Sequence, residues 1–225
     1  MENTVTTQTP ITFAADPEHG ALRISIVFIF VFIWAVVFAL LNTIIPSEGI
    51  NILALIVSFV ATALLTQQVE RQLKERWPSG RTVQIDHGHV RIVKKSQVQH
   101  QVDASQRVNV MLWRFRISRR SRVPKGWYMV ACALEQDSDY IPVYTFMSPT
   151  QFDALNASQH FTILQSKKEA QKEGPGDMRL AGEQRRLHAA ESVRWMDGAE
   201  VSADDFQQFI RHLQERFPQW MPSVV

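Results

Sequence analysis

The chain has 225 residues, 45% of them hydrophobic, and its 24 Lys and Arg against 22 Asp and Glu leave a net charge of +2. That balance excludes recognition of nucleic acid by bulk charge, so any electrostatic argument has to rest on local clusters. The single cysteine, Cys132, excludes an internal disulfide and a Cys-based zinc motif, and it fits a reducing compartment.

Residues 1–23, with Asp16 and Glu18 and only Arg23 as a basic residue, read as a disordered N-terminal tail. Two uncharged apolar runs follow, Ile24 to Ile45 with 22 residues and Gly49 to Val69 with 21. A helix needs roughly 20 residues to cross a hydrocarbon core about 30 Å thick, so both are long enough to span. The link Pro46-Ser47-Glu48-Gly49 holds helix breakers that permit a sharp reversal, which makes residues 24–69 a transmembrane helical hairpin. A cleaved signal peptide would have a shorter apolar core and a more basic leader. Buried helices of a soluble core would carry a polar face.

Orientation follows from Lys and Arg near the ends of the spans. Only Arg23 precedes the first and none lies in the link, whereas Arg71, Lys74, Arg76 and Arg81 follow the second. Cytoplasmic flanks carry the excess of such residues, so the expectation is a multi-pass cell-membrane protein with its N-terminus and C-terminal domain both cytoplasmic. Trp77, at the edge of the basic flank, suits the membrane–water interface.

The remaining part, residues 70–225, is large enough for one domain with its own core. The second span is expected to continue as a helix to Arg76 and to stop at Trp77-Pro78-Ser79-Gly80. RTVQID and HVRIVKK alternate around His87-Gly88 as a β-hairpin. QVQHQVDASQRVNVMLWRFR reads as one or two strands broken near Asp103-Ala104-Ser105. Pro124-Lys125-Gly126 makes a turn, and WYMVACALEQ and YIPVYTFMS form a second hairpin around Asp137-Ser138-Asp139, with Pro142 marking an edge or a bulge. QFDALNASQHFTIL reads as an amphipathic helix capped by Ser148. The charged stretch around 165–190, with Gly174-Pro175-Gly176, reads as an insertion or linker. In VSADDFQQFIRHLQERFPQW, Ser202 caps a helix whose Phe206, Phe209, Ile210, Leu213 and Phe217 form an apolar stripe.

The order of these elements resembles the bacterial PH-like membrane proteins. The resemblance is carried by RTVQIDHGHVRIV, WYMVACALEQDSDYIPVYTF and VSADDFQQFIRHLQERFP, and it covers roughly Asn51 to Pro218. It implies an α+β architecture, a two-helix membrane anchor followed by a mainly antiparallel β PH-like domain with C-terminal helices. It also implies a scaffold or lipid-proximal role without shared catalytic residues. The segment from Thr150 to Glu200 is longer than a minimal PH-type domain needs.

The most distinctive soluble segment is WRFRISRRSRVPKGW, Trp113 to Trp127, with six cations, three aromatics and no acid. Near an anionic leaflet each Lys or Arg contributes about 1 kcal/mol of attraction. Arg114, Arg116, Arg119, Arg120, Arg122 and Lys125 are therefore the candidate lipid- or partner-binding residues. The same charges on a solvated strand edge would discourage sheet-to-sheet association. His87-Gly88-His89 lacks the converging ligands of a metal site, and Asp204-Asp205 and Asp137-Ser138-Asp139 read as a helix start and a turn. No catalytic residues, metal or cofactor are assigned. The expected function is a non-enzymatic membrane-anchored scaffold or interaction module that contacts the bilayer, its anionic headgroups or an acidic protein partner. The alternative is an accessory subunit of a larger membrane complex or a homo-oligomer, with a membrane-bound enzyme behind both.

Overall fold

The computed structural model describes residues 10–45, 51–118, 123–137, 139–155, 158–166 and 178–221. The chain divides into two compact units, one made of residues 16–79 and the other joining the strand at 11–15 to the chain from Gly80 onward. The fold is α+β, with two long apolar helices near the N-terminus and two sheets after them.

In the first unit α1 is Gly20–Ile44 and α2 is Ile52–Arg76, and both are long and apolar enough to cross a membrane. The link between them lies outside the described residues. α2 runs on through the charged segment to Arg76, as its helix-favouring composition predicts. Asn51 starts it: its Oδ1 accepts from Ala54 N at 3.0 Å while its Nδ2 donates to the Ile45 carbonyl at 2.6 Å. One polar residue thereby meets open backbone groups at both helix ends. The buried positions of α2 beyond this cap are Ala54, Ser58, Thr62 and Thr66, four residues apart. Side chains this small let two helix backbones approach where no hydrophobic drive between helices exists. Phe30 and Phe59 meet edge to face across the pair at 5.5 Å. At the open end Lys74 bridges Glu18 at 2.9 Å and Glu70 at 2.8 Å, and the Trp77 ring stands 5.4 Å from His19.

The second unit begins with a correction. Residues 11–15, assigned from sequence to a disordered tail, form β1 (Ile11–Ala15), which pairs antiparallel with β2 (Arg81–Ile85) from Ile11↔Ile85 to Ala15↔Arg81. With β3 (His89–Lys94) and β4 (Gln97–Asp103) they make a four-stranded sheet in the order β1-β2-β3-β4. The β3–β4 turn is Lys95-Ser96, both at positive φ, 47° and 68°. That is the conformation a two-residue hairpin turn demands, although neither residue favours it.

The second sheet contains β5 (Asn109–Arg116), β6 (Tyr128–Gln136), β7 (Asp139–Met147), β8 (Thr162–Ile163) and β9 (Ala199–Glu200), in the order β8-β5-β6-β7-β9. β8 and β9 are short parallel additions. Pro142 lies one residue before the β7 segment that pairs with β9, a position where its missing N–H costs no ladder bond to that neighbour.

The helix expected over QFDALNASQHFTIL is cut short. α3 is only Pro149–Asp153, started by a capping box between Ser148 and Gln151, and it is followed by a 3-10 turn at Ser158–His160 and by β8. Phe152 and Phe161 are both buried, with their rings 5.7 Å apart. Nine residues along one α-helix place them about 180° apart, so a continuous helix could not bury both on the same side.

The expected linker around 165–190 is also corrected from Met178 onward, where α4 (Met178–Asp197) begins. Its buried positions are Leu187, Ala190 and Arg194. One of the three is a cation, so the apolar period of this helix is barely visible in the sequence. α5 (Ala203–Arg216) matches expectation, with Ser202 Oγ accepting from Asp205 N at 3.1 Å and the stripe from Phe206 to Leu213 buried.

One face of each sheet meets α5 in the main core, where Phe13, Val83, Ile92, Val102, Cys132, Val143 and Phe209 belong to one cluster. Burial pushes the Cys132 thiol far above its ordinary range, which makes it a small core hydrophobe and a poor nucleophile. The other face of the second sheet carries Met111, Trp113, Met129 and Ala133, covered by Leu187 and Ala190 of α4. Polar side chains close the corners. Gln136 exchanges two 2.9 Å hydrogen bonds with the Asp103 backbone, and Arg81 donates to the carbonyls of Asp197 at 2.6 Å and Gly198 at 3.0 Å.

Candidate functional site

The basic aromatic segment is the loop of the β5–β6 hairpin. The ladder extends one step past the strands, with Ile117 N donating to Trp127 O at 2.7 Å and Gly126 N donating to Ile117 O at 2.9 Å. Gly126 turns the chain back at φ +95°, and the Arg116 guanidinium lies 3.5 Å from where a Cβ would stand. Glycine is therefore favoured there by the backbone, the arginine standing at ordinary contact distance.

The six predicted residues separate. Arg116 and Lys125 are exposed on this loop. Arg119, Arg120 and Arg122 lie outside the described residues. Arg114 is drawn inward, its guanidinium carbon 4.8 Å from the Tyr128 ring centre and 4.4 Å from that of Phe152. Its Nε is buried without a partner, so its stem and cation are occupied by aromatic packing. Trp77, the predicted interface residue, caps α2 and is 44% exposed.

The other sequence candidates fall into local structural roles. Asp86 Oδ1 accepts from Gly88 N at 3.0 Å and His89 N at 2.8 Å, and Arg91 donates to Oδ2 at 2.9 Å. Burial works to raise the Asp86 carboxyl, but these backbone N–H groups and the Arg91 charge hold it below the ordinary range. The His87-Gly88-His89 segment is thus a hairpin turn organised by one aspartate. Among the described residues no three His, Cys, Asp or Glu side chains are placed to hold a metal ion.

A second site went unnoticed in the sequence. Between the N-terminal half of α4, strand β5 and the 3-10 turn lies a cavity of about 470 Å³. Asn109, His160, Arg179, Gly182, Arg186 and Leu187 contribute to its lining. Its geometry is set from β6, where Glu135 accepts from Asn109 Nδ2 at 2.6 Å, Tyr140 OH at 2.7 Å and Arg186 Nη2 at 2.6 Å. Burial raises the Glu135 carboxyl, yet the three donors together pull it below its ordinary value, so it stays ionised and orients Arg186. On the far wall Glu183 accepts from Thr162 Oγ1 at 3.0 Å, and Gln184 bridges the backbone on either side of Leu164.

Two features around this cavity oppose stability. Gly182 sits inside a helix, where glycine costs about 1 kcal/mol relative to alanine, and a Cβ there would meet nothing within 4 Å. His160 Nε2 is buried without a partner, a loss of about 1–3 kcal/mol. The spacing of Arg179, Gly182 and Arg186, three and then four residues apart, is the one sequence signal that could have marked this face.

In comparison with known proteins, the chain matches no family model, no curated protein and no solved structure.

Proposed function

We propose that the chain is a membrane-tethered, non-enzymatic interaction module with a PH-like cytoplasmic domain whose β5–β6 loop engages anionic lipid headgroups. The observation that carries this reading is the pairing of β1 with β2. One strand precedes the apolar hairpin and the other follows it, yet Ala15 stands opposite Arg81 in the same sheet. The hairpin is thus an insertion in the β1–β2 connection of a single domain, an arrangement that calls for both flanks on the same side of the bilayer. The Lys and Arg excess after α2 makes that side cytoplasmic. A four-stranded antiparallel sheet, a second sheet built on β5-β6-β7 and a closing helix support the PH-like assignment. The exposed Arg116 and Lys125 and the arginines between them carry the charge that an anionic leaflet attracts.

The test replaces residues 16–80 by an Asn-Gly turn, which keeps β1 in its sheet, and sediments the resulting domain with vesicles of phosphatidylcholine alone or with phosphatidylserine added. Binding should need the anionic lipid and weaken with salt. Changing Arg116, Arg119, Arg120, Arg122 and Lys125 to Gln should reduce it on the order of a thousandfold. Equal binding to both vesicle types, or none to either, would sink the lipid reading and direct the search to an acidic protein partner or a larger membrane complex.

A further inference from the structure

We propose that Trp195 and Met196, in the last turn of α4, form an apolar knob that seats in the headgroup–acyl boundary of a neutral bilayer, a second membrane contact independent of the β5–β6 loop. The inference rests on the membrane-tethered reading above. Trp195 is 80% and Met196 71% exposed, more than any other large apolar side chain described in the β-sheet unit. The residues around them are held. Arg194 is buried, bonded to Glu191 and stacked on the Tyr144 ring. Gly198 N donates to Arg194 O at 2.9 Å, and a Cβ on Gly198 would overlap that same oxygen, so only glycine lets the chain leave the helix this tightly. From β2, Arg81 donates to the carbonyls of Asp197 and Gly198. The turn therefore holds both side chains outward in one geometry, and little order has to be imposed when they dock.

The size of the knob favours a bilayer over a protein partner. Two side chains, the larger covering at most about 250 Å², fall well short of the roughly 800 Å² per partner that a stable protein interface buries. A membrane contact on a tethered chain needs less, because docking is then intramolecular. By covalent connection alone, Arg81 is the fifth residue after Arg76, the last of α2, and five residues extend no more than about 18 Å. The residue type agrees: an indole has an apolar body and an N–H for the headgroup layer, which is why tryptophan concentrates at membrane–water interfaces. Asp197 and Arg81, which flank the knob, are of opposite sign, so docking should need no anionic lipid.

The experiment uses the full chain with Met196→Cys carrying an environment-sensitive NBD fluorophore, in phosphatidylcholine nanodiscs with and without spin-labelled phosphatidylcholine. Cys132 is fully buried and stays unlabelled. Spin-labelled lipid should quench the label at this site and leave unquenched the same label on Gln106→Cys, exposed between β4 and β5. The quenching should persist at high salt and in Arg116→Gln with Lys125→Gln. Adding Trp195→Ser should shift the docked–free equilibrium at least about tenfold toward the free form, since burial of about a third of an indole's surface supplies that factor. The serine variant should keep the unfolding midpoint, because the side chain it removes lies in water.

A label at Met196→Cys that emits as in water and escapes lipid quenching would overturn the inference and leave the tether intact. Shielding without lipid quenching would also overturn it, by assigning the knob to a second copy or another protein, and so would quenching that Trp195→Ser leaves unchanged. Failure of the chain to co-elute with the nanodisc is a separate outcome, which removes the membrane reading and this inference with it.

Discussion

The two faces of the five-stranded sheet are covered by helices of opposite character. On the inner face α5 presents Phe206, Phe209, Ile210 and Leu213, all buried, to an apolar core. On the outer face α4 presents Leu187, Ala190 and Arg194, and polar bonds hold it down. Glu191 accepts from Trp113 Nε1 at 3.0 Å and from Arg194 at 2.8 Å and 2.5 Å, while the Arg194 guanidinium stacks 4.7 Å from the Tyr144 ring. The inner helix is fixed by burial, which is insensitive to direction. The outer one is fixed by bonds that demand geometry.

The largest effect should come from the inner helix. Phe209→Ala removes a fully buried ring and is expected to cost about 3–5 kcal/mol in chemical unfolding of the β-sheet unit. A loss under about 1 kcal/mol would show that α5 is not seated as described.

On the outer face, Glu191→Ala leaves a 6% exposed guanidinium and the Trp113 N–H without their acceptor, and it should cost about 2–4 kcal/mol. Here the comparison becomes sharper. Adding Arg194→Met should recover much of that loss, since the unpaired buried charge and not the missing bond is the main cost. No second substitution would similarly rescue Phe209→Ala. Absence of rescue would place the outer helix in the same class as the inner one.

The smallest effect is in pH dependence. The folded-state pKa of Glu135 is depressed, so its contribution is present above its ordinary value of 4.5 and is lost as pH falls through the lower folded value. Glu135→Gln should therefore flatten the acid limb of the stability–pH curve while leaving the neutral region less affected. Asp86, depressed for similar reasons in the other sheet, keeps part of the limb in that variant. An acid limb unchanged by Glu135→Gln would mean that Arg186 is not held by this carboxylate.

The limits of sequence reading follow the same division. Periodicity found β2, β3, β6, β7 and α5 because each has one apolar face, and the spans because they have no other kind of face. It missed β1, whose Phe13 and Ala15 enter a core completed only by strands more than 60 residues later. It misread α4 because a buried Arg194 takes an apolar position, and it extended α3 because nothing local shows that Phe152 and Phe161 must turn to the same side. Of the six loop cations, charge counting could not distinguish Arg114, captured by Tyr128 and Phe152, from Arg116, left in water.

What the sequence by itself determined is whatever a neighbouring residue can enforce: the length and apolarity of two helices, the alternation of strands, the Ser148 and Ser202 caps, and a basic loop. The tertiary structure decided the rest. It paired β1 with β2 across the apolar hairpin, gave α4 its polar seat, and gathered Asn109, Glu135, His160 and Arg186 around one cavity. These residues lie far apart in the chain, and only the packing of the sheet and its outer helix brings Asn109 and Arg186 within hydrogen-bond distance of Glu135.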